Sequence, residues 1–306
     1  MRIFLNPACC NGAGYRRFQN IRAELLKKYG SYQVEIIRPT DIGMQLVQAL
    51  DEGEHLVVAA GGDGTVNLLV EALIKERPVR RNILLGAIGI GSSNDFHKPF
   101  KSYRMIRGVP IRLNGRHTVF RDVIDVRYRV NDQWHQRYAC INASLGICAE
   151  ANALFNDHHR LIHALKKVST DLAIFGAAVI AIFSHQNNTC RLKIEDDQFR
   201  TISLTNLGIL KSPHFAGCMN YDTPVETADG VLRINLCEGM NRFEVLRLLN
   251  GLMHTHFRNF NKTASWTGTR VEITAPHSTA VEMDGEVVYA SDVVFTVIPH
   301  ALRVCT

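Results

Sequence analysis

The residues of this chain that could do chemistry gather beside glycines. Gly61-Gly62-Asp63-Gly64-Thr65-Val66-Asn67 follows the apolar run "HLVVAA", "GIGSSNDF" from Gly89 follows a second apolar run, and "MDGE" from Met283 brackets a glycine with two acids, Asp284 and Glu286. Glycine lets backbone N–H groups approach a phosphate with no Cβ in the way, and a helix start beyond the loop adds a positive dipole end. The first two stretches therefore read as a phosphate cradle. Asp63 is then anomalous, because a carboxylate repels phosphate. It makes sense if it holds a metal ion, or if it anchors the loop through hydrogen bonds. The plainer alternative is an ordinary strand-to-helix turn with Asp63 as the helix cap. "MDGE" in turn reads as a hairpin, since Asp-Gly is a strong turn dipeptide, and such a hairpin can present its acids. Neither glycine loop completes a standard nucleotide motif. "GAIGIGSS" lacks the lysine of a Walker A loop, and "GIGSSN" has asparagine where the third Rossmann glycine belongs.

The elements that must position these loops alternate in the first third. "RIFLNP", "YQVEIIRPT", "HLVVAA" and "NILLGAIGI" have strand character. Between them, Tyr15, Phe18, Ile21, Leu25 and Leu26, then a segment from Asp41 to Leu50, then Val66, Leu69, Val70, Leu73 and Ile74 recur at helical spacing. Strand–helix alternation with near-continuous apolar strands implies a parallel sheet covered on both faces, with ligands bound at the carboxyl ends of its strands. From about Thr118 the pattern turns period-two, with a hairpin turn near Asn131-Asp132-Gln133, a helical stretch from about 149 to 185, and a further helix near 243 to 257. The remainder is mainly antiparallel strand, a sandwich of two sheets, and the cleft between the two domains is the natural place for chemistry.

Composition narrows the classes. The 306 residues are 46% hydrophobic, enough for a sizeable core or two. Lys plus Arg is 35 against 29 Asp plus Glu, a formal charge of +6 that favours anionic ligands or an anionic membrane surface without marking a nucleic-acid binder. The basic residues Lys98, Lys101, Arg104, Arg107 and Arg112 just beyond "SSNDF" are the candidate attractor. Eight cysteines without a C-x-x-C pair read as reduced thiols of a cytoplasmic protein. "MRIFLNP" does not read as a signal peptide. "LAIFGAAVIAIF" from Leu172 is far short of the roughly twenty residues of a membrane span, so it reads as a buried helix. His158, His159 and His163 lack a carboxylate or cysteine to complete a metal site and read as structural.

Four stretches in order, "GGDGTVN", "GIGSSNDF", "VIDV" at Val123 and "MDGE", resemble the diacylglycerol kinase catalytic family, soluble bacterial lipid kinases related to sphingosine kinases and NAD kinases. "NPACCNGAG" resembles that family's Asn-Pro and glycine loop, and "INASLG" and "ADGVLRI" resemble two later blocks. The resemblance implies an α/β plus β chain. It would have a Rossmann-like parallel α/β nucleotide domain at 1–117, an antiparallel β-sandwich domain at 118–298, and a tail, 299–306, packing back on the first. It implies transfer of the ATP γ-phosphate to a lipid hydroxyl, diacylglycerol or a related lipid, with Mg²⁺, by an enzyme peripheral to the inner membrane face. Matched position by position, Asn6, Pro7, Ala8, Cys9, Cys10, Thr40, Gly61, Gly62, Asp63, Gly64, Thr65, Val66, Asn67, Ser92 and Asn94 are its ATP-contacting positions. Asp63, Asp95, Asp125 and Asp229 match the acids that hold magnesium or its water network, and one of Asp284 and Glu286 is the expected base. A homodimer is compatible with this reading.

The chain departs from the family at three places. Leu68 follows Asn67 where glutamate is usual, Cys10 stands where the first loop has glycine, and "AGCMN" from Ala216 replaces a glycine triplet. The last bears on the Asp229 assignment. Two rivals follow. An NAD kinase shares GGDGT but carries a Thr-Gly-Ser-Thr-Ala-Tyr-like segment missing from this sequence. A nucleotide sensor that lost the chemistry would not need the intact Asp284 and Glu286.

Overall fold

A computed structural model describes residues 1–10, 12–76, 82–98, 104–157 and 160–306. His158, His159 and Lys101 lie outside these residues. The chain divides into two compact units, 1–122 with 300–306, and 123–299.

In the first unit, β1 (Arg2–Leu5), β2 (Gln33–Ile36), β3 (Leu56–Gly61) and β4 (Leu84–Gly89) pair in parallel in the order β2-β1-β3-β4. β1, β3 and β4 are almost wholly buried, as parallel strands covered on both faces must be. Between them run α1 (Gly14–Tyr29), α2 (Ile42–Asp51) and α3 (Asp63–Glu76). α1 buries Phe18, Ile21 and Leu25, while Tyr15 and Leu26, which share its apolar spacing, are exposed. It stops at Gly30, whose positive φ of 75° suits a helix terminator. Asp41 does precede α2, but its carboxylate accepts the Thr40 hydroxyl at 3.0 Å and makes no cap to a helix N–H. A single 3₁₀ turn, Asp95–His97, follows β4. Then come the hairpin β5 (Arg104–Ile106) and β6 (Val109–Arg112), β6 pairing antiparallel with β4. The last strand of the chain adds Arg303 and Val304 beside Leu84 and Leu85 of β4, in parallel.

Two long strands carry the chain between the units, β7 (Thr118–Val130) and β17 (Glu286–Cys305). Within the second unit lie β8 (Gln133–Ala139), β9 (Asn142–Gly146), α4 (Ile147–Asn156), α5 (Arg160–Val168), α6 (Thr170–Ser184), β10 (Asn188–Ile194) and β11 (Arg200–Leu210). They are followed by β12 (His214–Phe215), β13 (Met219–Asn220), β14 (Leu232–Glu238), α7 (Arg242–Met253), β15 (Thr263–Gly268) and β16 (Arg270–Met283). The pairings of β9, β10, β11, β14, β15 and β16 with one another, and of β16 with β17, are antiparallel. Their inward residues, among them Leu192, Leu207, Ile234, Val271 and Phe295, form one core. The β7–β8 turn is tighter than its sequence suggests: Val130 pairs with Gln133, and only Asn131 and Asp132, both at positive φ, lie between. Two residues of left-handed backbone match the twist of the strands they join. The helical stretch is three helices rather than one, and α7 opens with a reciprocal cap between Asn241 and Glu244.

Candidate functional site: a glycine cradle and an acid hairpin

β3 and β4 end in register, Gly61 opposite Gly89, so their two glycine loops leave the sheet side by side. Ile90 and Gly91 N–H both donate to Gly61 O, at 3.0 and 3.1 Å. The loops then meet glycine against glycine. A Cβ on Gly91 would overlap Gly62 Cα, and one on Gly62 would stand 3.2 Å from Gly91 Cα. Only paired glycines allow this approach. The β1 loop joins them: Asn6 N–H donates to Ala60 O at 2.9 Å, and its amide donates to Thr65 Oγ1 at 3.0 Å. Asn6 Oδ1 accepts Ala8 N–H at 3.1 Å, and the Cys9 thiol donates to Ile90 O at 3.7 Å. Burial, then the neighbouring Cys10, pushes the Cys9 thiol up to about 11, against the charge of Arg17, so it stays protonated. Cys10 holds the left-handed φ of 53° that suits the glycine it replaces.

Asp63 answers the question its sequence raised. Its Oδ2 accepts Asp95 N–H at 3.0 Å and its Oδ1 accepts Phe96 N–H at 2.9 Å. Thirty-two residues along the chain, the first loop's acid thus caps the 3₁₀ turn of the second. Asn94, itself left-handed, exchanges hydrogen bonds with Gly91 at 3.2 Å in both directions. Arg17 Nη1 donates to the carbonyls of Ile90 and Gly91 at 3.0 and 2.7 Å. Sequence reasoning missed Arg17, whose only signal is a cation one helical turn into α1. With Ser92, Asn94 and Arg107 it lines an open groove of about 630 Å³. Thr65, Val66 and Asn67 are buried beneath the loops, whereas Thr40 and Ser92 are exposed. Asp95, also buried, pairs with Lys98. Behind the turn lie two buried arginines. Arg112 and Arg121 are fully buried and donate to His97 O at 2.7 Å and Phe96 O at 3.3 Å. Burial and these two charges push His97 down to about 3.

The second unit holds the other acids. Met283 pairs with Glu286 across a two-residue turn, with Asp284 and Gly285 at φ 48° and 94°. The buried Asp284 carboxylate accepts three backbone N–H groups, from Cys140 at 2.7 Å and from Ile141 and Asn142 at 2.9 Å. Glu282 is also buried, accepting Ser144 Oγ at 2.8 Å and Gly285 N–H at 2.6 Å. Glu286 is exposed, with no hydrogen bond or ion pair among the described residues. The two acids of the motif are therefore unlike: one is committed to holding the β8–β9 loop, and the other is available. Asp229 bridges Lys211 Nζ at 2.8 Å and Arg233 Nη2 at 2.6 Å. Burial raises its carboxyl, but Lys211, Val231 N–H and Arg233 together hold it below the usual carboxylate range. Asp125 accepts Gln136 Nε2 at 2.7 Å and lies 3.5 Å from Arg127.

Among the described residues no three His, Cys, Asp or Glu side chains form a group able to hold a metal ion. The donor chemistry separates the four acids named for magnesium. Asp63 accepts neutral backbone N–H groups, donors that a carboxylate can share with a hydrated cation. Asp229 is already compensated by two cations and does not fit one. The basic stretch beyond the second loop needs a similar correction as a surface attractor. Arg112 is wholly buried, Lys98 pairs with Asp95 and Arg107 with Glu24. α6 corrects another expectation: it is only partly buried, with Leu172, Phe175 and Phe183 exposed.

The first unit thus carries paired glycine loops at the carboxyl ends of parallel strands, tied by an aspartate, and the second is an antiparallel unit with an acid hairpin. The chain belongs to the family of the YegS C-terminal NAD kinase beta sandwich-like domain, which its residues 142–306 match, and its residues 1–122 match the diacylglycerol kinase catalytic domain. Three solved structures from Bacillus anthracis str. Sterne share the fold. A diacylglycerol kinase is 13% identical with a TM-score of 0.67, over 99% of this chain and 95% of that one. Two putative diacylglycerol kinases are 14% and 15% identical with TM-scores of 0.70 and 0.67, each over 99% of this chain and over 96% and 95% of theirs. No curated protein matches the chain.

Proposed function

We propose that this chain is an ATP-dependent kinase that transfers the γ-phosphate to a lipid hydroxyl, of diacylglycerol or a related lipid, at the cytoplasmic face of a membrane. The observation that carries the reading is the cradle: two glycine loops packed Cα to Cα at paired strand ends, locked by the Asp63 hydrogen bonds to Asp95 and Phe96. In this reading the Rossmann-like first unit binds ATP along Asn6 to Cys10, Thr40, Gly61 to Asn67, Ser92 and Asn94. The α3 start, whose first N–H groups have no partner within the helix, faces the phosphates. The buried members Thr65, Val66 and Asn67 shape the loop, while the exposed ones touch nucleotide. Phosphoryl transfer is mostly positioning and charge stabilisation, which a rigid loop pair supplies. Asp63 would hold Mg²⁺, which would supply positive charge at the phosphates, whereas Asp95 already pairs with Lys98. Glu286, exposed and unpaired, takes the acceptor hydroxyl proton, and Asp284 holds the hairpin that presents it.

The test is purified protein with radiolabelled ATP and a panel of diacylglycerol, a sphingoid base, ceramide and phosphatidylglycerol in micelles, with NAD as the soluble acceptor. A labelled lipid product is expected. Label in NAD alone would move the chain to a soluble-substrate kinase, and ATP binding with no product would leave a nucleotide sensor.

A further inference from the structure

α6 leaves large apolar residues on its outside. A helix on a soluble protein turns its large apolar residues to the core and its polar ones to water. Here Ala173, Ala177 and Ala181, spaced by four, are buried, with the larger Ile182 beside them near the end of the helix. Leu172, Phe175 and Phe183 form a stripe on the other side, since residues 3 and 11 apart share a helix face, and they are 50%, 46% and 54% exposed. Gly176 lets α5 close in, as a Cβ there would stand 2.6 Å from Leu165 Cδ1. Phe243 in the first turn of α7 is 82% exposed. The Arg242 guanidinium lies 6.0 Å from the Phe183 ring, so the stripe and α7 form one patch. Contiguous exposed aromatics of this kind mark an interaction surface.

The charge around the patch selects the occupant. Its rim carries the exposed Arg242 and Arg247, while Glu244 beside them is spent on Lys262 at 2.7 Å. An apolar face rimmed by cations suits an anionic leaflet. A second copy would press two rims of one sign together. At about 1.5 Å per residue the 15-residue helix is about 22 Å long, too short for a hydrocarbon core of about 30 Å, and among the described residues no helix is long and apolar enough to cross a membrane. We infer that the outer face of α6, with Phe243 and Arg242 of α7, lies in the surface of an anionic lipid leaflet and holds the chain there. The inference rests on the lipid-kinase reading for the choice of lipid over protein as the occupant.

The experiment is sedimentation without ATP, using vesicles of phosphatidylcholine alone or with phosphatidylglycerol. The wild type, a Phe175→Ser/Phe183→Ser double variant, Phe243→Ser and Arg242→Glu are compared across a salt series. The wild type partitions onto the anionic vesicles, and salt weakens it. The double variant loses on the order of tenfold or more in partition at every salt concentration, because its loss is apolar, and Phe243→Ser loses part of that. Arg242→Glu loses only the salt-sensitive part. All the substituted side chains are exposed, and melting curves verify that each variant is folded. Wild-type partition by the double variant overturns the inference. So does a wild-type dimer that the double variant dissociates while vesicle binding stays unchanged, which makes a second copy the occupant. Because the assay uses no ATP, its failure leaves phosphoryl transfer standing, and vesicle binding by a protein that phosphorylates no lipid leaves the docking face standing.

Discussion

Asp63→Ala separates an organising aspartate from one that touches ligand or metal. The carboxylate accepts two backbone N–H groups, of Asp95 and Phe96, residues 6% and 0% exposed. Hydrogen bonds to a charged acceptor are worth about 1.5–3 kcal/mol each, and a stranded buried donor costs about 1–3 kcal/mol. Truncation should therefore destabilise the protein by about 3–5 kcal/mol, a large share of the 5–15 kcal/mol typical of a domain. Asp63→Asn keeps one acceptor and turns an N–H toward the other donor, so it should lie between wild type and alanine. Urea midpoints followed by circular dichroism give the stability, and calorimetric titration with ATP gives the affinity. If Asp63 works by joining the loops, stability and affinity fall together, with asparagine intermediate in both. An alanine variant with the wild-type midpoint and no ATP binding would refute the anchoring argument and place the carboxylate on the ligand.

Other outcomes follow from the same geometry. Gly91→Ala places a Cβ into Gly62 Cα, so the loops must part, costing about 1–3 kcal/mol; ATP affinity should fall, and an unchanged affinity would detach the glycine pair from the nucleotide. Glu286→Gln should reduce turnover by about 10²–10⁴-fold with an unchanged melting midpoint. Asp284→Asn should instead lower the midpoint, because its new N–H group meets one of three donors now aimed at the carboxylate; equal turnover losses with no stability difference would end the division of labour. His97, pushed down to about 3, stays neutral in the fold while an unfolded histidine takes up a proton below about 6.5. Its folded pKa is lowered, so its contribution is complete above about 6.5 and is lost as pH falls towards 3, by about 1.4 kcal/mol per pH unit. His97→Leu should flatten the stability profile between pH 6.5 and 4.5 by about 2.7 kcal/mol, and parallel wild-type and variant profiles would show that the ring protonates in place.

What the amino-acid sequence determined by itself was everything that depends on neighbours in the chain. Continuous apolar runs made β1, β3 and β4, helical spacing made α1 and α3, and glycine after each strand marked the loops. Asp-Gly before Glu286 made the hairpin. These follow from backbone sterics and periodicity, which are local. The tertiary structure alone decided what each side chain meets. Asp63 finds its partners 32 and 33 residues away, and Asp284 finds its own 142 to 144 away. No spacing rule could say that one motif acid is saturated and the other free, that Arg112 is buried while Arg104 and Arg107 are exposed, or that Asp229 serves two cations. α6 shows the limit most plainly. Its composition could only say apolar, and an apolar helix reads as buried. Which face it turns inward depended on the close approach that Ala173, Ala177, Ala181 and Gly176 allow, and packing against elements distant in sequence set the aromatic residues on the outside.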